Sequence, residues 1–149
     1  MAKKKKYKQY KQGIYRPIHS EKYKGTTPVI YRSSLELVLM KWLDNNSKIK
    51  SWGSESIVVP YVSPKDNRIH RYFVDFNFTM VRDGKPVKYL VEVKPHSQTT
   101  PPKKKKNVKS YLYESAQYAV NAKKWEAAGI WCKKHGYQFL IFTEKHLKK

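Results

Sequence analysis

The chain has 149 residues, enough for one compact domain that buries a core without disulfides. Hydrophobic residues make up 40% and aromatics 14%, yet 32 Lys and Arg face only 11 Asp and Glu, a formal net charge of +21, so a polyanionic partner is expected. No apolar run approaches the ~20 residues of a membrane span, no hydrophobic stretch of the secretory kind follows the Lys-rich start, and a single cysteine, Cys132, excludes an internal disulfide or a multi-cysteine zinc site.

Residues 1–28 read as a basic, Tyr-rich arm ahead of a domain over 29–149. In the arm, Lys3, Lys4, Lys5 and Lys6 are expected to contact phosphates. Tyr7, Tyr10, Tyr15 and Tyr23 interleave with lysines, which suits stacking on bases or docking on a protein. Ser33 to Asp44 places Leu35, Val38, Leu39, Trp42 and Leu43 at helical spacing, with Ser33 as N-cap and Glu36 positioned to close a capping box. Ser56 to Val62 reads as a strand, followed by a turn over Ser63 to Asn67. Arg71 to Met80 then alternates. Tyr72, Val74, Phe76, Phe78 and Met80 share one face; Arg71, Phe73, Asp75, Asn77 and Thr79 share the other.

Asp83-Gly84 signals a hairpin turn. Lys88 to Lys94 returns with Leu90, Glu92 and Lys94 on one face and Tyr89, Val91 and Val93 on the other. His96 to Lys106 is a Pro- and Lys-rich loop, where Lys103, Lys104, Lys105 and Lys106, with Arg71 nearby, are expected to meet DNA phosphates. Asn107 to about Lys134 is helical, through Val108, Leu112, Ala116, Ala119, Val120, Trp125, Ala128 and Trp131. Gly129 is a potential break and Gly136 a C-terminal cap. Tyr137 to Thr143 is a final strand. The order αβββαβ implies an α/β, mixed α+β, fold: a central mixed sheet flanked by helices, the second helix serving as crossover. Trp42, Trp52, Trp125 and Trp131 are assigned to the core.

If Asp83-Gly84 is a two-residue loop, Asp75 lies directly opposite Glu92, and Phe73 opposite Lys94. A register shift of two keeps both acids on one face; an odd shift separates them. Opposed side chains stand about 4.5–5.5 Å apart at Cβ, so the two carboxylates repel unless neutralised. A divalent cation would do this, and oxygen ligands favour Mg2+, with Mn2+ as substitute. Lys94, two residues on along the same face, could orient water or steady charge in phosphodiester hydrolysis. The pattern also fits a salt-bridged strand pair, with Asp75 or Glu92 bonded to Arg71 or Lys94 on a solvated face. The apolar surroundings of both acids, the direction of the lysine and the basicity of the chain favour the metal site.

The segments Tyr72-Phe73-Val74-Asp75-Phe76 and Tyr89-Leu90-Val91-Glu92-Val93-Lys94-Pro95 resemble the catalytic hairpin of the PD-(D/E)XK, restriction-endonuclease-like, nuclease superfamily. The similarity extends to Ser33-Ser34-Leu35-Glu36, to Trp131-Cys132 and to residues 139–144, a spread like that of transposon-encoded end-cleaving endonucleases. Length and Lys-rich start are similar to nucleases of T-even tailed phages. This resemblance implies a restriction-endonuclease-like core with Asp75, Glu92 and the Val93 carbonyl on the metal, and Lys94 as catalytic lysine. Glu36 would complete the site or help hold a second metal. Val74 stands where the superfamily commonly has proline. Gln117 lies in the region of a glutamine motif but lacks its tyrosine spacing, and His96 ranks behind the acids. DNA is the implied substrate, acted on late in phage assembly, with phage head or portal and neck proteins as partners. The implied setting is the host cytoplasm during assembly or the virion, with no membrane and no small-molecule substrate.

Three functions therefore compete: a metal-dependent DNA endonuclease, a non-catalytic DNA-end-binding head or portal component with a nuclease-like core, and an RNA-binding protein of ribosomal type. Only the first gives the opposed acids a purpose.

Overall fold

The computed structural model describes residues 12–147. Its elements run β1 (Gly13–Tyr15), β2 (Val29–Tyr31), α1 (Ser34–Asn45), β3 (Ile49–Ser54), β4 (Val58–Val62), β5 (Ile69–Phe73), β6 (Phe76–Arg82), β7 (Lys85–Val93), α2 (Val108–His135) and β8 (Tyr137–Phe142). The main sheet has the order β3-β6-β7-β8, antiparallel except that β8 lies parallel to β7. The hairpin between β6 and β7 turns on Asp83 and Gly84, with φ values of 50° and 75°. Both are the left-handed angles that a two-residue loop of this hand needs. It fixes the expected register, with Phe76 against Val91 and Asn77 against Leu90.

One helix covers each face of the sheet. Leu39, Met40 and Leu43 of α1 pack with Trp52, Phe76, Phe78, Tyr89, Val91 and Val93. Ala128 and Cys132 of α2 pack with Leu90, Val59, Tyr72 and Val74 on the other side. Full burial of each large apolar chain stabilises by about 1.5–3 kcal/mol, so the even- and odd-numbered residues of β7 hold the two layers together. Ser33 caps α1, its hydroxyl accepting from the Glu36 N–H at 3.1 Å. Asn107 caps the start of α2, and Gly136, at φ 76°, ends it in the left-handed conformation that favours glycine.

Several expectations are corrected. Arg71 to Met80 is not one strand. β5 pairs with β4 in a separate two-stranded ribbon, while β6 joins the main sheet. The pairing runs from Ser54 with Phe76 to Val58 with Phe73, so four steps on one side meet three on the other. The slip is a bulge, with Glu55 at φ 52°. It sends Tyr72 and Val74 to the α2 layer and Phe76 and Phe78 to the α1 layer, and Phe73 pairs with Val58 rather than Lys94. The sequence order αβββαβ also lacked β1, β2 and β3. β3 escapes a period-two reading because its register shifts between Ile49 and Ser51, and Trp52, Gly53 and Ser54 are buried in succession.

In α2, Val108, Leu112, Ala116 and Ala119 are exposed, and only the C-terminal half packs on the sheet. Gly129 does not interrupt the helix. Trp42 is 43% exposed, edge-on to Phe78, and so is not a core residue.

The expected arm is folded onto the domain from Gln12 onward. β1 pairs with β2, and the Tyr15 hydroxyl donates to Oδ2 of buried Asp44 at 2.5 Å. Lys22 donates to the carbonyls of Leu43, Asp44 and Asn46 at 2.8, 2.8 and 2.9 Å, satisfying the open end of α1. Tyr23 packs edge-on to Trp52 at 4.7 Å, so Tyr15 and Tyr23 serve the fold. Lys3 to Lys6, Tyr7 and Tyr10 lie outside the described residues.

Candidate active site

The bulge and the hairpin together place Asp75. It sits in the two-residue step between β5 and β6, at the mouth of the sheet. The β6–β7 ladder, extended by one residue, brings it opposite Glu92. The Val93 N–H donates to Asp75 Oδ2 at 2.8 Å, and the Asp75 carbonyl accepts from Glu55 N–H at 3.0 Å. Burial, and then the charge of Glu92, pushes the Asp75 carboxyl well above its ordinary value; the Val93 hydrogen bond opposes this. Glu92, 6% exposed, receives a hydrogen bond on Oε2 from the hydroxyl of Tyr72. Lys94 Nζ stands 3.6 Å from Glu92 Oε1, its side chain about a quarter exposed. Burial first, then Glu92, raises the Tyr72 phenol, so it stays protonated and donates.

Glu36 lies at the edge of this cluster. Its Oε2 accepts from the Arg32 N–H at 2.8 Å, one residue before the Ser33 cap, so Glu36 ties down the start of α1 without the reciprocal Ser33 N–H bond of the expected capping box. Burial raises its pKa, and the charges of Glu55 and Glu92 add to this. Asp75, Glu92, Lys94 and Glu36 are thus brought to one place. The salt-bridged reading holds in one respect, since Lys94 pairs with Glu92, but the pair is not on a solvated face.

Among the described residues no three His, Cys, Asp or Glu side chains converge as a metal cage. Two carboxylates are at hand, and the Val93 carbonyl is the third donor that the superfamily resemblance implies. Such all-oxygen donors suit a hard cation that keeps several of its waters, as Mg2+ does. The repulsion between two largely buried acids gives such a cation a place to act.

The remaining candidates are dispersed. Arg71 is exposed on β5, its guanidinium 5.7 Å from the Phe73 ring. Lys103 to Lys106 are exposed ahead of α2, with Lys105 paired to Glu114 at 2.6 Å. Gln117 accepts from Lys65 at 3.5 Å. The backbone N–H of His96 is held by Glu144 Oε2 at 2.9 Å. Two residues near the site were not singled out. Tyr72 carried one signal, a phenol in an apolar stretch of sequence, which needs a partner once buried. Glu55 carried a weaker one, a charge between two apolar runs. It pairs with Arg32, the residue whose N–H holds Glu36.

A model of the family described as TnsA-like endonuclease N terminal matches residues 46–144. That span contains Asp75, Glu92 and Lys94 and begins after Glu36. The head completion nuclease of Enterobacteria phage T4 is 34% identical over 142 residues, covering 91% of this chain and 93% of that protein. No described helix is long and apolar enough to cross a membrane. With matches of this extent, on a mixed sheet that gathers two acids and a lysine at one end of its inner strands, the chain belongs to the TnsA-like endonuclease family, of restriction-endonuclease-like fold, and is a nuclease.

Proposed function

We propose that this chain is a Mg2+-dependent DNA endonuclease that cleaves phosphodiester bonds during phage head completion. The observation that carries the catalytic reading is the pairing of Asp75 with Glu92, two acids held side by side with Lys94 beside them. Asp75, Glu92 and the Val93 carbonyl hold the cation, with Glu36 adding negative charge from α1. Bound there, Mg2+ supplies stabilisation for charge on the phosphate oxygens and makes a water more acidic. Val93 N–H fixes the Asp75 carboxylate and Tyr72 fixes that of Glu92. Lys94 presents its ammonium to the phosphate and steadies the charge that develops during attack. The basic tracts, Lys3 to Lys6 and Lys103 to Lys106 with Arg71, draw the duplex in through its phosphates.

The relative, a head completion nuclease, supports head completion as the setting, with head or portal and neck proteins as partners and the host cytoplasm or the virion as the place. Purified protein incubated with linear and supercoiled DNA, with and without Mg2+, is the test. Asp75→Ala and Lys94→Ala should each lose cleavage while still retarding DNA. Equal activity in Asp75→Ala would end the catalytic reading and leave a DNA-binding component.

A further inference from the structure

The two acids of the site share an asymmetry. Asp75 has its Oδ2 taken by the Val93 N–H, and Glu92 has its Oε2 taken by the Tyr72 hydroxyl. On each carboxylate one oxygen has an approach direction filled, leaving the other the more open, and for Glu92 that other oxygen, Oε1, faces Lys94. The first restraint comes from the main chain and is indifferent to sequence. The second depends on one side chain from a different sheet.

Tyr72 cannot readily turn away. It is 4% exposed and sits on β5, within the ribbon that packs against α2. Lys124 Nζ of α2 stands 5.4 Å from its ring centroid and 5.7 Å from that of Tyr61. The Tyr61 ring meets it edge-on at 6.4 Å. The ring is therefore held by Lys124 and Tyr61 while its hydroxyl donates to Glu92.

We infer that Tyr72 is a positioning residue that sets metal choice: its hydrogen bond orients the Glu92 carboxylate and competes with a cation for Oε2, disfavouring ligation through both oxygens and so favouring small octahedral cations over Ca2+. The inference rests on the metal-dependent reading above. The physical basis is the difference between the ions. Mg2+ and Mn2+ accept single oxygens at octahedral corners, whereas Ca2+ takes more ligands and gains from carboxylates that bind through both oxygens. A Glu92 released from Tyr72 can offer both. Partners that orient a metal ligand in this way change affinity by about 10–100-fold when removed.

The test compares wild type, Tyr72→Phe and Asp75→Ala as full-length proteins. Mn2+ and Ca2+ binding is measured by calorimetry without DNA, and folding is checked by circular dichroism. Wild type should prefer Mn2+. Tyr72→Phe should reduce the ratio of Mn2+ to Ca2+ affinity by about 10-fold. An unchanged ratio in folded Tyr72→Phe overturns the inference while leaving the metal site standing. Mn2+ binding that survives in Asp75→Ala overturns the metal reading and this inference with it. Should Tyr72→Phe not fold, Lys124→Met, which loosens the ring from outside the site, must lower the ratio in the same direction; no movement there also overturns the inference.

Discussion

The main-chain N–H of Val93 donates to Oδ2 of Asp75 at 2.8 Å, so the strand that carries Glu92 also holds the acid that opposes it. One hydrogen bond links the end of β7 to the bend before β6. It keeps two mutually repelling groups together, and the protein bears that repulsion as a cost of its chemistry.

Asp75→Asn should separate stability from activity. The amide oxygen still accepts from Val93, while the charge that repels Glu92 is gone. Relief of about 1 kcal/mol would raise the melting temperature of the metal-free protein by about 2–4 °C for a domain of this size. Cleavage should fall to background. Calorimetry of the metal-free variant decides the point, and a lower melting temperature than wild type would count against repulsion at this pair.

Glu36 has two roles that one substitution can divide. Glu36→Gln keeps an oxygen for the Arg32 N–H, so the start of α1 should remain intact, with a stability change under about 1 kcal/mol. The lost charge should nonetheless slow cleavage. Thermal denaturation and single-turnover rates measured on the same preparation would separate the roles; a variant as active as wild type would confine Glu36 to the helix start.

Acid should release the N-terminal ribbon. Burial of Asp44 opposes ionisation, but hydrogen bonds from the Tyr15 hydroxyl and from the Ile18 and His19 N–H groups outweigh it, holding the carboxyl below its ordinary range. A depressed carboxyl contributes stability that is present above its unfolded value of about 3.9 and is lost as pH falls through the lower folded value. Asp44→Asn should remove this acid-sensitive component and cost about 2–3 kcal/mol at neutral pH. Urea midpoints at pH 7 and pH 3 would show it: the difference between the two pH values should shrink in the variant.

DNA affinity should carry a measurable share from the loop before α2. Changing Lys103, Lys104, Lys105 and Lys106 to Ala should weaken binding to all sequences alike. It should also reduce the slope of log affinity against log salt by up to about 3–4, if each lysine meets one phosphate. The tie between Lys105 and Glu114 argues for the lower part of that range. A slope equal to wild type would move the DNA track elsewhere.

The juxtaposition of the two acids was legible because one dipeptide settles it. Asp83-Gly84 permits a two-residue loop, the loop sets the register, and the register puts Asp75 across from Glu92. The Gly136 cap of the long helix was legible for a similar reason: it acts on its own local backbone. Tyr72 and Glu55 were not legible as neighbours of the acids. Their positions depend on a one-residue slip between β3–β4 and β5–β6, which no run of residues announces. The N-terminal segment misled because tyrosines between lysines have the same composition whether they meet DNA or, as Tyr15 and Tyr23 do, Asp44 and Trp52 of their own domain.

The last strand, β8, lies alongside β7, with Phe142 paired to Val93 and its carbonyl accepting from Lys94 N–H at 3.0 Å. The lysine is therefore braced by a strand that is made after the acidic hairpin and the long helix α2. Parallel pairing across an intervening helix is slow to form compared with a local hairpin. A nascent chain that has made the acidic hairpin still lacks this support, so any cutting power should arrive only once β8 has docked beside β7, and copies that stop before β8 should spare nearby DNA.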